Sequence, residues 1–483
     1  SQHADRRRDQ EHGNSEPLVP IAAVAVIAVL FWFRPVEGLL AFGLFTLLAD
    51  TIEHWLQLDV LLFDEIGLLA LAAVAAGSRR VVRQRLRVGW LELSVVVLAI
   101  AGILSSLVNG VPLQTWAAGL FLLLKGIAFF GLVRLLPLRV ADAERLGVAV
   151  LLVAAAIGVL GFVESLDPAA FQAALGLPLY EQSRGEVPII KAVFLHPAQF
   201  GWLTAYGSLL CYARFITHRS WWAIPAGLML NLATFLSGRR TPLLGVVASV
   251  AVGLVWWTAR AGLRRALLHI WLPAAAVVIV LALVAAPAVQ RLADVTVAEY
   301  GPSLDLAGEI FADEPRSELI ANIHPRVGLY AASVAIVRDE LPFGGGLGRF
   351  GSHLSRAEYS PLYERYGLDE VRLLRPEDPQ AATDAFWPMV LGETGLTGAL
   401  AAVAIFGGMA VLLWRAASGA GSAALRTITL AGLFVVIEGL IRSATSSVYV
   451  APPIGYFVLG TAGVALAVAA SEAERVRDTI GND

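Results

Sequence analysis

Apolar runs close to 20 residues long recur along this chain, and no other feature narrows its fold as far. They fall near residues 18–33, 36–50, 57–76, 91–108, 112–134, 146–163, 192–213, 221–236, 242–258, 267–289, 385–414, 423–443 and 451–470. A bilayer core about 30 Å thick is crossed by roughly 20 apolar residues in a helix. The runs lack the in-out alternation of a membrane barrel, so helices are the only spanning structure left. Charged residues make up 16% of the chain, against about 25% in an average soluble domain. The expected fold is all-α: a polytopic transmembrane helical bundle of about twelve spans with a large external, partly helical loop.

Orientation follows from where arginine collects in short loops. The richest such loop is 78–87, SRRVVRQRLR, which places it in the cytoplasm. Alternation then puts 134–145, 214–219, 260–265 and 415–426 inside as well, and each is basic. The first run follows Arg6, Arg7 and Arg8 but has no A-x-A cleavage motif, so it reads as a retained helix. A cytoplasmic start requires an even number of crossings in 18–76, where three apolar runs lie. Twelve crossings are favoured over thirteen, with one run re-entrant or interfacial. The resulting division is an N-terminal bundle (1–289), an extracytoplasmic loop or cap (290–383), a three-helix membrane part (384–470) and a cytoplasmic tail (471–483).

Several chemistries are unsupported. Cys211 is the single cysteine, which excludes an internal disulfide and a thiolate metal cluster. The eight histidines show no zinc-type spacing, so no metal and no cofactor is expected. Nothing points to nucleic acid. Gly346-Leu347-Gly348-Arg349-Phe350-Gly351 fits G-x-G-x-x-G but lacks a strand–turn–helix setting. Those glycines read instead as a tight turn, with a backbone nest near an anion as one use.

The exceptions to the charge rule carry the functional signal. Arg239 and Arg240 sit in the outer turn SGRRTP, and Arg326 opens a helical pattern over 326–337 in the large loop. Guanidinium presents a planar fork of donors that matches phosphate oxygens, and the phosphate at an outer membrane surface belongs to a lipid carrier. The alternative is helix-end capping or snorkelling to headgroups. Arg338 lies twelve residues beyond Arg326, about 18 Å along a helix, and reads as a surface partner of Asp339 or Glu340. His196 opens the helix after FLHP and is either a structural hydrogen-bonder or a site residue. Asp384 enters the membrane from the large loop, with Glu393 nine residues deeper. A partly desolvated carboxylate suits general-base work; a helix N-cap explains Asp384 equally well, and a structural hydrogen bond explains Glu393. Asp64, Glu65, Lys125, Glu438 and Arg442 lie in apolar runs, where they line a cavity or pair with one another.

At these residues the chain resembles the O-antigen ligase and O-antigen polymerase superfamily, bacterial glycosyltransferases that act on polyprenyl-diphosphate-linked sugars. The resemblance covers about 190–400 and the final helices, and rests on HPAQFG, SGRRTPLLG, the stretch from Arg326 to GGGLGRF, and TDAFWPMVLGETGLTG. It implies a metal-independent, inverting transfer at the outer face of the plasma membrane. Arg239 or Arg240, with Arg326, would bind the donor diphosphate, and Asp384, Glu393 and His196 are the catalytic candidates. The partners implied are a polyprenyl-diphosphate-linked oligosaccharide donor, a glycan or lipid acceptor, and the lipid bilayer. Ligases of the family carry His followed by Asn where this chain has Asp384-Ala385, which tilts the expectation toward a polymerase. Tyr359, Tyr363 and Tyr366 are placed to stack on sugar rings or to pack the cap. The rival reading is a transporter or lipid-linked sugar flippase, though the two related halves common in transporters are not visible.

Overall fold

The computed structural model describes residues 18–57, 63–77, 89–180, 183–184, 187–261 and 323–480. The apolar run 267–289 and the first part of the large loop lie outside them. Eight helices among the described residues are long and apolar enough to cross a membrane. The chain is a polytopic helical membrane protein.

The N-terminal part comprises α1 (Leu18–Phe33), α2 (Pro35–Leu56) and α3 (Phe63–Gly77). It is followed by α4 (Trp90–Val108), α5 (Leu113–Arg134), α6 (Val140–Leu166) and the short α7 (Pro168–Ala174). A ribbon of two short antiparallel strands, β1 (Ser183–Arg184) and β2 (Val187–Pro188), is the one departure from all-helical structure among the described residues. Then come α8 (Pro197–His218), α9 (Ala223–Leu236) and α10 (Arg240–Ala261). The cap holds α11 (Pro325–Asp339), α12 (His353–Ala357) and α13 (Pro361–Arg365), and the chain re-enters the bundle as α14 (Phe386–Gly419), α15 (Ala423–Ser443) and α16 (Ile454–Ile480).

Hydrogen bonds between connections define two ends. At one, Asn109 Nδ2 donates to Gly344 O at 2.7 Å, Ile190 N to Leu236 O at 3.0 Å, and Tyr330 OH to Ala444 O at 2.9 Å. At the other, Arg134 pairs with Glu92 at 2.9 Å and Trp256 Nε1 donates to Ser418 at 3.0 Å. The first is the cap end. The second gathers Arg134, Arg139, Arg214, Arg219, Arg260 and Arg426.

Helix starts differ from the apolar runs where proline and capping intervene. The run near 192–213 becomes helix only at Pro197, which fills the first helical position and has no N–H to leave unpaired. His196 precedes it as N-cap, its Nδ1 accepting from Ala198 N at 3.2 Å. His324-Pro325 repeats the device at α11, Nδ1 accepting from Arg326 N at 3.3 Å. The last helix runs past the apolar run to Ile480, so the charged tail continues α16.

Re-entry at α14 organises the cap. Gly395, with φ +69° and ψ −169°, breaks the helix inside its apolar length. A side chain there would meet the Phe343 carbonyl carbon at 2.5 Å, because the loop backbone fills the break. Gly345 N donates to Gly392 O at 2.7 Å and Gly346 N to Glu393 O at 3.2 Å, satisfying carbonyls that the break exposes. Ser105 of α4 completes the seal, its hydroxyl donating toward Glu393 O (2.7 Å) and Gly344 O (2.8 Å) and accepting from Gly346 N (3.0 Å).

The cap has its own core of Leu329, Ile336, Phe350, Tyr363, Val371 and Leu374. Tyr363 is fully buried, and its hydroxyl accepts from Gly351 N at 3.1 Å and bonds Ser355 Oγ at 2.9 Å. Tyr359 donates to Leu374 O and Tyr366 to Asp339. Tyr363 therefore belongs to the cap's packing, and Tyr359 and Tyr366 are tied to it. Tyr363→Phe strands the buried Gly351 N–H, and should lower stability by about 1–3 kcal/mol, read as a drop in thermal unfolding midpoint in detergent.

Candidate active site

Four of the sequence candidates meet at the cap end, from elements far apart in the chain. Asp384 precedes α14, and its carboxylate Oδ2 accepts from Arg326 Nη2 at 3.1 Å. The N-cap of α14 is Ala385, with no side-chain cap bond, so capping is not what Asp384 does. Burial pushes the Asp384 carboxyl above its ordinary value, while the charges of Arg326, Arg239 and Arg356 pull part of the way back. Arg356, from α12 of the cap, went unnoticed in the sequence because its helix is only five residues long.

Arg239 lies just ahead of α10 in the turn after α9. Its Nη2 is 3.4 Å from the Tyr180 hydroxyl and 3.4 Å from His196 Nε2, and the Tyr180 and His196 rings meet edge-on. Burial, then the charges of Arg239 and Lys191, push the His196 imidazole down to about 4. The ring is neutral at pH 7, and its Nδ1 is occupied as an acceptor by the N-cap bond. Arg239 has only donors, so its contact asks Nε2 to accept, in competition with Nδ1 for the neutral ring's one acceptor nitrogen. Arg240 opens α10 beside them, but the cations acting on Asp384 are Arg326, Arg239 and Arg356.

The Arg326–Asp384 pair is open to a ligand, with side chains 24% and 41% accessible. Arg326 can exchange the carboxylate oxygen for a phosphate oxygen, an acceptor of the same charge-assisted kind.

Glu393 lies elsewhere. It is 2% exposed, and its carboxylate accepts from Phe350 N at 3.1 Å. The N–H groups of Gly348 and Arg349 and the Ser352 hydroxyl also act on it. The G-x-G-x-x-G turn is thus a backbone nest whose anion is the protein's own glutamate, and Glu393 anchors the cap to α14.

The remaining membrane charges pair with one another. Lys125 bonds Asp64 at 2.9 Å and Glu65 at 3.3 Å, and Tyr456 donates to Asp64 at 2.8 Å. Arg442 pairs with Glu438 one turn away at 2.5 Å. Arg338 pairs with its neighbour Asp339 at 3.6 Å on the cap surface.

A carboxylate raised in pKa, flanked by three guanidinium groups, can take a proton beside a bound polyanion. No protein-family model matches this chain, and no curated protein matches it in sequence.

Proposed function

We propose that this protein is a membrane glycosyltransferase that moves glycan from a polyprenyl-diphosphate carrier to an acceptor hydroxyl, in the manner of a polysaccharide polymerase. The observation that carries this reading is the convergence of Arg239, Arg326 and Arg356 on Asp384 at one end of the bundle. The opposite end gathers the arginines of the short loops, which by the positive-inside rule faces the cytoplasm. On this reading the site faces outward from a bacterial plasma membrane, where carrier-linked glycans are exposed.

In the reaction an acceptor hydroxyl attacks the anomeric carbon. The bond from that carbon to the diphosphate oxygen breaks, and its electron pair leaves with the carrier diphosphate. Asp384 takes the hydroxyl proton. Arg326, released from Asp384, and Arg239 stabilise the charge that grows on the diphosphate. His196, in contact with Arg239 through Nε2, helps to position that arginine. Attack opposite the leaving group inverts the anomeric centre.

Cells lacking the protein should accumulate the carrier-linked oligosaccharide, seen by mass spectrometry of extracted lipids. Wild type should clear it and Asp384→Asn should not. Deletion cells with an unchanged carrier pool would overturn the assignment.

A further inference from the structure

We infer that the cleft between α2 and the α6–α8–α15–α16 core binds one glycerophospholipid, its phosphate on Arg214 and its acyl chains in the cavity. The cleft encloses about 650 Å³, inside the range of about 300–1,000 Å³ typical of ligand pockets. Leu44, Leu47, Val148, Leu210, Ile428 and Val464 are among its walls. Leu44 and Val148 are 47% and 56% exposed, so the cavity opens sideways toward the lipid.

Apolar walls alone accept any hydrocarbon; Arg214 selects the headgroup. It lines the cavity near the arginine-rich end of α8, and its Nε is buried with no hydrogen-bond partner among the described residues. Its guanidinium lies 5.7 Å from the ring centre of Trp222, which lines the same mouth. A buried guanidinium N–H needs an acceptor, and a phosphate oxygen is the acceptor a membrane supplies. Trp221 and Trp222 are exposed beside it, at the level where tryptophans meet headgroups. Glu144 also lines the cavity and is exposed, which leaves Arg214 as the one cation among the described residues that line it. His196 caps one end of α8 and Arg214 lies eighteen residues along it, about 27 Å away. The lipid site is therefore separate from the Asp384 cluster and does not depend on its function.

The test is native mass spectrometry of the full chain in neutral detergent, with phosphatidylglycerol and diacylglycerol of identical chains. A side chain at Gly147, which lines the cavity, would meet nothing within 4 Å at its Cβ, so Gly147→Phe fills the space without moving backbone. Wild type should retain one phosphatidylglycerol with a preference of at least about tenfold, the weight of one charge-assisted hydrogen bond. Arg214→Gln should lose that preference, and Gly147→Phe should lose the bound lipid. Should Gly147→Phe not fold, Leu44→Trp at the lateral opening replaces it with the same expectation. Equal retention of both lipids by wild type, or retention unchanged in the plugged variant, would overturn the site. Displacement of phosphatidylglycerol by equimolar undecaprenyl phosphate would overturn the choice of a glycerophospholipid; failure to displace it supports that choice.

Discussion

Asp384→Asn is expected to lower glycan transfer by about 10²–10⁴-fold, the usual contribution of a positioned general base. The asparagine keeps the shape and still accepts from Arg326, so the protein should fold and bind the diphosphate donor. The defect should lie in turnover. Because burial holds the Asp384 carboxyl above its ordinary value, the base form is lost earlier on acidification than for a free aspartate. The wild-type single-turnover rate should therefore fall as pH drops through that raised value, and the residual rate of Asp384→Asn should not follow the same curve. Transfer within about threefold of wild type, too small for the loss of a general base, would remove Asp384 from the mechanism.

Glu393→Ala should be the most disruptive single change. It removes the acceptor for Phe350 N–H and leaves the Gly348 and Arg349 N–H groups facing an apolar gap. Each buried donor left without a partner costs about 1–3 kcal/mol, so a loss of at least about 3 kcal/mol is expected, with the cap released from α14. Glu393→Gln keeps one oxygen and should lose less. Thermal unfolding and transfer measured together separate the possible roles. An anchor predicts that activity and stability fall in step across the two variants. A Glu393→Gln protein of wild-type stability with no transfer would make Glu393 a catalytic group.

Hydrophobic patterning is local information, and that is why the bundle was legible. Runs of apolar residues became helices wherever the structure describes them, and the pattern at 326–337 became Pro325–Asp339. The boundaries were governed by single residues: Pro197 delayed α8, and Gly395 broke α14 where the apolar run was continuous. Asp384 and Arg326 could be nominated from sequence because an acid and a basic residue at the edge of an apolar run are costly anomalies. Their pairing across 58 positions could not be read. Glu393 was harder still, since its partner Phe350 lies 43 residues away in a loop that by itself resembles a nucleotide motif. Ser105 and Ser106, which stitch that loop to α4, carried no signal inside an apolar run. The repeated His-Pro at 196–197 and 324–325 was visible, and it marks the starts of two helices that deliver site residues.

The most direct measurement is titration of undecaprenyl diphosphate into the purified protein, for wild type, Arg239→Ala, Arg326→Ala and Arg338→Ala. Each site arginine removes charge-assisted hydrogen bonds of about 1.5–3 kcal/mol, so binding should weaken by roughly 10–100-fold. Arg338→Ala, whose side chain is 73% accessible and paired with Asp339, should bind as wild type does. A wild-type protein that does not bind the diphosphate, or Arg239 and Arg326 variants that bind it unchanged, would contradict a donor site at this end of the bundle.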